Sequence, residues 1–504
     1  MGGKIINQKT LFLACKWINC ILAVTLFVCL FILPGVTVIK YLSDPALQKN
    51  DIPQIALQTH RSLTSRYGLW LKQRIESKKA AQLSTHNISG TEWPLFGTVF
   101  YLWATEAIQQ ELTSKGVNAK LLPSAYAKDT LKLSAQFLVD PNQAKWVKDH
   151  WGNNYLSREN LFYRMLLIGG LFSYQNILND KTYEPILREQ AISLARELDA
   201  SPYGLLDDYP GQCYPIDIIA AIAAIKRADV VLKTDHSLFV ERAVRAFQAA
   251  RLDPQTLLPA YNVDSKTGVA FSGARGIGLS FMLIWAPELW KDVAVDWYAK
   301  YKHFYWQERY GIVGFREFSN YSKSPDWWMD VDSGPVMAGF GIASTAFGLG
   351  AAKANNHIND AQILSSEIIP LSWPLWDGTL LGARLLSNVT DAPYLGEMAL
   401  LFLFTRQPMI EKEFHSSASM PLIVYFVTAL YFLVGTFYIY REIRELRKWV
   451  QNIHKVVIMA FWVQITLWLA FLLLGLWLIF FKNIIFGVLA CLGAGVLPLV
   501  KFRL

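Results

Sequence analysis

The chain has 504 residues, 53% of them hydrophobic, and a formal net charge of +8. Its mean hydropathy of +0.24 is too high for one soluble domain. Cys213 is alone in the central part while the other four of the five cysteines lie in or beside apolar runs, so no disulfide framework is available. The basic residues form no stripe across the central part, which argues against a nucleic-acid partner.

Residues 11–39 form a nearly unbroken apolar run, longer than the roughly 7–15 residues of a signal-peptide core. Without a clear small-x-small cleavage site, residues 1–41 read as a cytoplasmic N-terminus and an uncleaved span. Runs at 421–440, 456–481 and 484–500 are each long enough to cross about 30 Å of hydrocarbon. Lys4, Lys9 and Lys16 precede or enter the first run; Arg441, Arg444, Arg447, Lys448 and Lys455 fill 441–455; Lys501 and Arg503 close the chain. The positive-inside rule predicts four spans in the cytoplasmic (inner) membrane, with both termini and loop 441–455 cytoplasmic. Residues 42–418 are then a periplasmic or extracellular domain, and 419–504 a three-span region.

The central part is helical by periodicity, with little strand-like alternation. Helices are expected at 54–78, 94–114, 123–138, 158–178, 181–199, 215–232, 236–251, 273–286, 291–309, 335–355, 359–368 and 393–405. Helix starts near Trp93-Pro94, Arg158-Glu159, Tyr214-Pro215, Ser272-Gly273, Gly334-Pro335 and Ala392-Pro393 recur at a period of roughly 55–65 residues. In four of these, Pro stands at the first helical position, where its missing N–H costs nothing. The expected fold class is all-α: an (α/α)6 toroid of six helical hairpins, closed by 54–78 against 393–405. Connections within hairpins are short, whereas 200–214, 252–272, 310–334 and 369–392 are long. Long loops gathered at one end of a rigid scaffold are where binding and catalysis usually sit.

Three loop segments concentrate reactive side chains. YGLLDDYPGQCYPID, 203–217, carries Asp207, Asp208, Tyr209, Cys213, Tyr214 and Asp217. GFREFSNYSKSPDWWMDVDSGP, 314–335, carries Arg316, Glu317, Asp326, Trp327, Trp328, Asp330 and Asp332, and FSGARGIG, 271–278, adds Arg275. Asp332 and Ser333 also have the bland reading of helix N-caps before Pro335. Carboxylates facing one another across a pocket act as general acid and base when burial and charge split their pKa values. Asp208, Cys213 and Asp217, faced by Glu317, Asp330 and Asp332, are the candidate catalytic groups. Tyr209, Tyr214, Trp327 and Trp328 are candidates to line the substrate, and Arg275 or Arg316 to hold an anionic or hydroxyl-bearing group. The eight His are scattered without ligand spacing, so no metal site and no cofactor is expected.

Several segments between 158 and 355 resemble the linalool dehydratase-isomerase family, an (α/α)6 group with exported members. The resemblance rests on RENLFY at 158–163, GLF with Tyr183-Glu184, GLLDDYPGQCYPIDIIAAIAAI at 204–225, LDPQTLLPAY, and VDSGPVMAGFGIASTAFGLGAAKAN. It implies acid/base removal and return of water on a terpene alcohol, with Cys213 matching one pocket cysteine and Tyr67 a tyrosine of the N-terminal helix. Asp207 or Asp208 stands at the second cysteine, and Leu166 where the family has its His. Linalool itself is therefore not the expected substrate.

The function expected is a membrane-anchored lyase or isomerase, dehydratase-like, on a hydroxylated or isoprenoid-like substrate. A glycoside hydrolase or glycan-modifying enzyme of the envelope is the alternative, and a non-enzymatic lipid- or glycan-binding scaffold a third reading. Partners would be a small-molecule, lipid or glycan substrate and the membrane. The sequence leaves the oligomeric state open.

Overall fold

A computed structural model describes residues 2–49, 51–248, 252–410 and 418–451, with 466–468, 470–471, 473–474 and 490. The chain is mostly helical. Six helices form its centre: Ile88–Ser114, Leu161–Leu178, Pro215–Leu232, Gly276–Leu289, Ile342–Ala354 and Leu395–Phe404. Each packs against the next in this order, and the last packs back on the first. Their sequences allow close approach. Ala220, Ala221, Ala223 and Ala224 are buried, and a Cβ at Gly350 would collide with Ile284 and Leu403. Between them the rings of Trp103 and Trp285 lie 4.6 Å apart, and those of Phe100 and Phe402 5.0 Å apart. The helices Gln54–Ser77, Lys128–Val139, Glu184–Ala200, Ser237–Gln248, Lys291–Tyr305 and Ile358–Leu371 pack outside them.

Of the expected Pro starts, only Pro215 opens its helix. Pro94 lies inside a helix that begins at Ile88, where the Asn87 side chain accepts from Gly90 N at 3.0 Å. Pro94 has no N–H for the Gly90 carbonyl, and the Arg74 guanidinium donates to that carbonyl instead. Pro393 precedes its helix, and Pro335 is not helical at all. Gly334–Met337 is a strand between Trp328–Asp330 and Phe340–Gly341, and the helix starts only at Ile342. Gly334 (φ 61°), Ala338 (φ 51°) and Gly339 (φ 86°) are left-handed, which a helix cannot accommodate. A second hairpin pairs Trp306–Arg309 with Ile312–Phe315, so the Lys291 helix ends at Tyr305 rather than at 309.

Two helices, Leu13–Lys49 and Leu422–Gln451, are long and apolar enough to cross a membrane. They run antiparallel: Phe27 stacks on Tyr438 at 4.6 Å, and the Lys16 ammonium sits 4.6 Å over Trp449. The second helix continues without a break to Gln451, so the basic segment expected as a loop at 441–455 is helical over most of its length. The expected spans 456–481 and 484–500 lie almost wholly outside the described residues. Pro34 leaves the Leu30 carbonyl without its helical donor, and the Trp373 indole N–H fills that place at 2.8 Å. The Tyr431 hydroxyl donates to Pro370 O at 2.7 Å. These two bonds tie the two long apolar helices to the end of Ile358–Leu371.

Candidate active site

The long connections between hairpins meet where the six central helices start. The 201–214 loop is fixed first. Asp208 N donates to Gln212 O, and the Asp208 carboxylate accepts from Tyr214 N at 2.8 Å, just before Pro215 opens its helix. Val263 N donates to Cys213 O at 3.0 Å, which joins the 252–272 loop to this one. Gly276 N donates to Glu317 O at 2.8 Å and joins the third.

Four carboxylates gather here. Asp208 is almost fully buried; burial, then the neighbouring Asp217, raises its pKa well above the carboxylate range. Asp217 lies in the first turn of Pro215–Leu232 and is half-buried, so part of it stays accessible at the loop end of the bundle. Its pKa is also raised, by burial first and then by Asp332 and Glu92. Glu92, near the start of the Ile88 helix, accepts from the Tyr209 hydroxyl at 2.5 Å. Burial lifts Glu92 to about 7 against that bond, with Asp332 adding to the rise. Asp332 is exposed at the mouth and accepts from the Tyr261 hydroxyl at 2.5 Å.

Beside this cluster Arg275 binds two acids, Glu317 at 2.6 Å and Asp330 at 2.7 Å. Its guanidinium lies 4.5 Å over Tyr261 and 5.0 Å over Trp328. Glu317 is fully buried and also accepts from Ile277 N at 3.1 Å and from the Ser344 hydroxyl. Burial opposes ionisation of Asp330, yet hydrogen bonds from Ser333 and the Arg275 charge hold it below the usual range. Arg275, Glu317 and Asp330 satisfy one another and brace the loops. The charge expected from Arg275 for a substrate anion is thus already neutralised.

Asp208, Tyr209, Tyr214, Asp217, Arg275, Glu317, Trp328, Asp330 and Asp332 therefore come together. Tyr67 does not join them: it is buried on an outer helix, its hydroxyl on Thr98 at 2.6 Å. Cys213 is fully buried in the hydrophobic core beneath the loop. Arg316 is held by Gln307, by Phe318 O at 3.1 Å and near Asp326 at 3.6 Å. Trp327 is exposed to solvent. Asp332 and Ser333 cap no helix. Asp330 accepts from Ser333 N at 2.7 Å and turns the chain between two strands. Glu92 and Tyr261 are the residues that sequence reasoning missed. Glu92 lies in GTEWP, which looked like a connection before Pro94, and Tyr261 lies among apolar residues of LLPAYN.

Among the described residues no three His, Cys, Asp or Glu side chains are placed to hold a metal ion. No protein-family model matches this chain, and no curated protein is similar to it.

Proposed function

We propose that the chain is a membrane-anchored (α/α)6 enzyme of acid/base type, a dehydratase-like lyase or isomerase acting on a hydroxylated substrate outside the cytoplasmic membrane. The cyclic packing of the six central helices supports the toroid. The observation that carries the chemistry is the cluster Glu92–Asp208–Asp217–Asp332, in which burial and neighbouring acids raise the proton affinity of Glu92, Asp208 and Asp217. Asp217, the accessible one of these three, is the general acid: it gives its proton to a substrate hydroxyl as the C–O bond breaks and water leaves. Asp332, more open and oriented by Tyr261, is the base that takes the proton from the adjacent carbon. The C–H electron pair becomes the alkene, and both steps reverse in hydration. Burial, then Asp332 and Glu92, raise the proton affinity of Asp217. Cys213 supports the loop from below.

The test is dehydration of a panel of tertiary and allylic alcohols by the full-length protein in nanodiscs, followed by gas chromatography. Alkene formation that Asp217→Asn abolishes upholds the reading; an Asp217→Asn variant as active as the parent overturns it. Trp328, which lies against Arg275 beside the acids, favours a second reading, a glycan-cleaving enzyme, which release of reducing ends from envelope glycans would reveal.

A further inference from the structure

The end of the molecule that carries the acid cluster is also the end from which the membrane helices depart. Ile358–Leu371 runs along the outside of the bundle and finishes at that end. There Trp373 bonds Leu30, and Tyr431 bonds Pro370. From Leu30 the N-terminal helix continues away from the bundle through Phe27 to Lys16, paired throughout with 431–449 of its partner helix. On the N-terminal helix the charge that marks the inner boundary is Lys16, level with Trp449 of the partner helix. From Lys16 to Leu30 the rise is about 21 Å at 1.5 Å per residue. A bilayer core is about 30 Å thick. Leu30, and the end of the bundle bonded to it, therefore lie below the outer hydrocarbon boundary.

The surface at that level is fitted for lipid. Phe271, Trp327, Met329, Leu371, Leu386 and Val389 stand at that end of the bundle and are between 58% and 74% exposed. At the opposite end three of the connections, Asn179-Asp180-Lys181, Lys233-Thr234-Asp235 and Asn355-Asn356, are polar. An apolar, partly aromatic fringe continuous with two membrane helices is the composition of an interface belt. Inside the fringe the site is acidic, and Arg275, the cation that reaches it, is already matched by Glu317 and Asp330. A phosphate there would meet Glu92, Asp217 and Asp332, and the Arg275 charge beside them is already matched.

We infer that the open end of the bundle is seated in the outer half of the bilayer, and that the site draws from it a long-chain amphiphile with an uncharged hydroxyl head. The tail stays in lipid while the hydroxyl rises into the acid cluster. The inference names the substrate class of the proposed acid/base site, but the seating stands without that chemistry.

Two measurements on the full-length protein in phosphatidylcholine–phosphatidylglycerol nanodiscs test it. Spin labels at Leu386→Cys and Val389→Cys are compared with labels at Lys181→Cys and Lys233→Cys. The first pair should be several-fold more accessible to oxygen, relative to a water-soluble nickel complex, than the second. Equal, water-like ratios overturn the seating. A diazirine-bearing C15 isoprenoid alcohol dissolved in the same lipid should crosslink to the 203–217 and 252–272 loops, and its monophosphate should not. Preferential labelling by the monophosphate, or labelling of neither loop by the alcohol, overturns the assigned head group. Both readouts are independent of turnover. An absent dehydration with lipid-facing labels and alcohol crosslinks would overturn the acid/base reading alone.

Discussion

The two ends of the helix bundle bury ionisable groups in opposite ways. Where the central helices start, Asp208, Asp217 and Glu92 crowd together, and their proton affinities rise. Where they finish, Glu288 is bound by Arg227 at 2.8 Å, its carbonyl accepts from Lys226 at 2.6 Å, and Arg406 lies 4.8 Å over Trp285. Burial pushes Glu288 up, but Arg227, Arg406 and Lys226 outweigh it and hold it below the usual carboxylate range. The same kind of side chain thus has its proton affinity raised at one end and lowered at the other. Burial is common to both; compensating charge decides the outcome. A group held ionised by its partners stabilises the fold, whereas a group without them is available for proton transfer.

Exchanging these roles should break the comparison. Asp217→Asn should lower alkene formation by about 10²–10⁴-fold, the usual loss of a general acid, while leaving the far-ultraviolet circular dichroism unchanged. Glu288→Ala, which leaves Arg227 and Arg406 facing each other, should cost on the order of 3 kcal/mol. Urea unfolding would show it as a fall in midpoint at constant slope. Glu317→Gln removes one charge-assisted partner of Arg275 and should cost about 1.5–3 kcal/mol; the same titration would rank it below Glu288→Ala.

The pH dependence sharpens the contrast. Burial pushes Glu92 up to about 7, above the ordinary 4.5 of a glutamate. Such a raised group contributes stability that is full below the unfolded value and is lost as pH rises through the folded one. Thermal midpoints of the parent should therefore fall between pH 4.5 and 7 more than those of Glu92→Gln. Parallel curves would show that Glu92 carries no stored proton. Smallest of all should be Asn87→Ala, which removes the side-chain cap of the Ile88 helix and should cost about 1 kcal/mol.

The pairing of helices was legible because it depends on repeating apolar faces and on breakers such as Asn179 and Asn356. Grouping of the long loops followed from their unequal lengths. The 334–341 segment misled because its small apolar residues suit a helix by composition. Its turns depend on the left-handed backbone at Gly334, Ala338 and Gly339, and its pairing on the distant Trp328–Asp330. Asp208, Asp217 and Asp332 could be picked out because acids in loops are conspicuous. Glu92 could not, since a glutamate inside a helix is ordinary until its neighbours across the bundle are known. Tyr261 acquires a role only through its 2.5 Å bond to an acid 71 residues away.

The interlocked rings of Phe100, Trp103, Trp285 and Phe402 have a consequence for substitution. They come from three of the six central helices and pack against one another. In an interior packed this densely, a change of volume in one ring is felt by its neighbours. The three helices therefore respond as a unit, and replacing any one ring disturbs the spacing of all three.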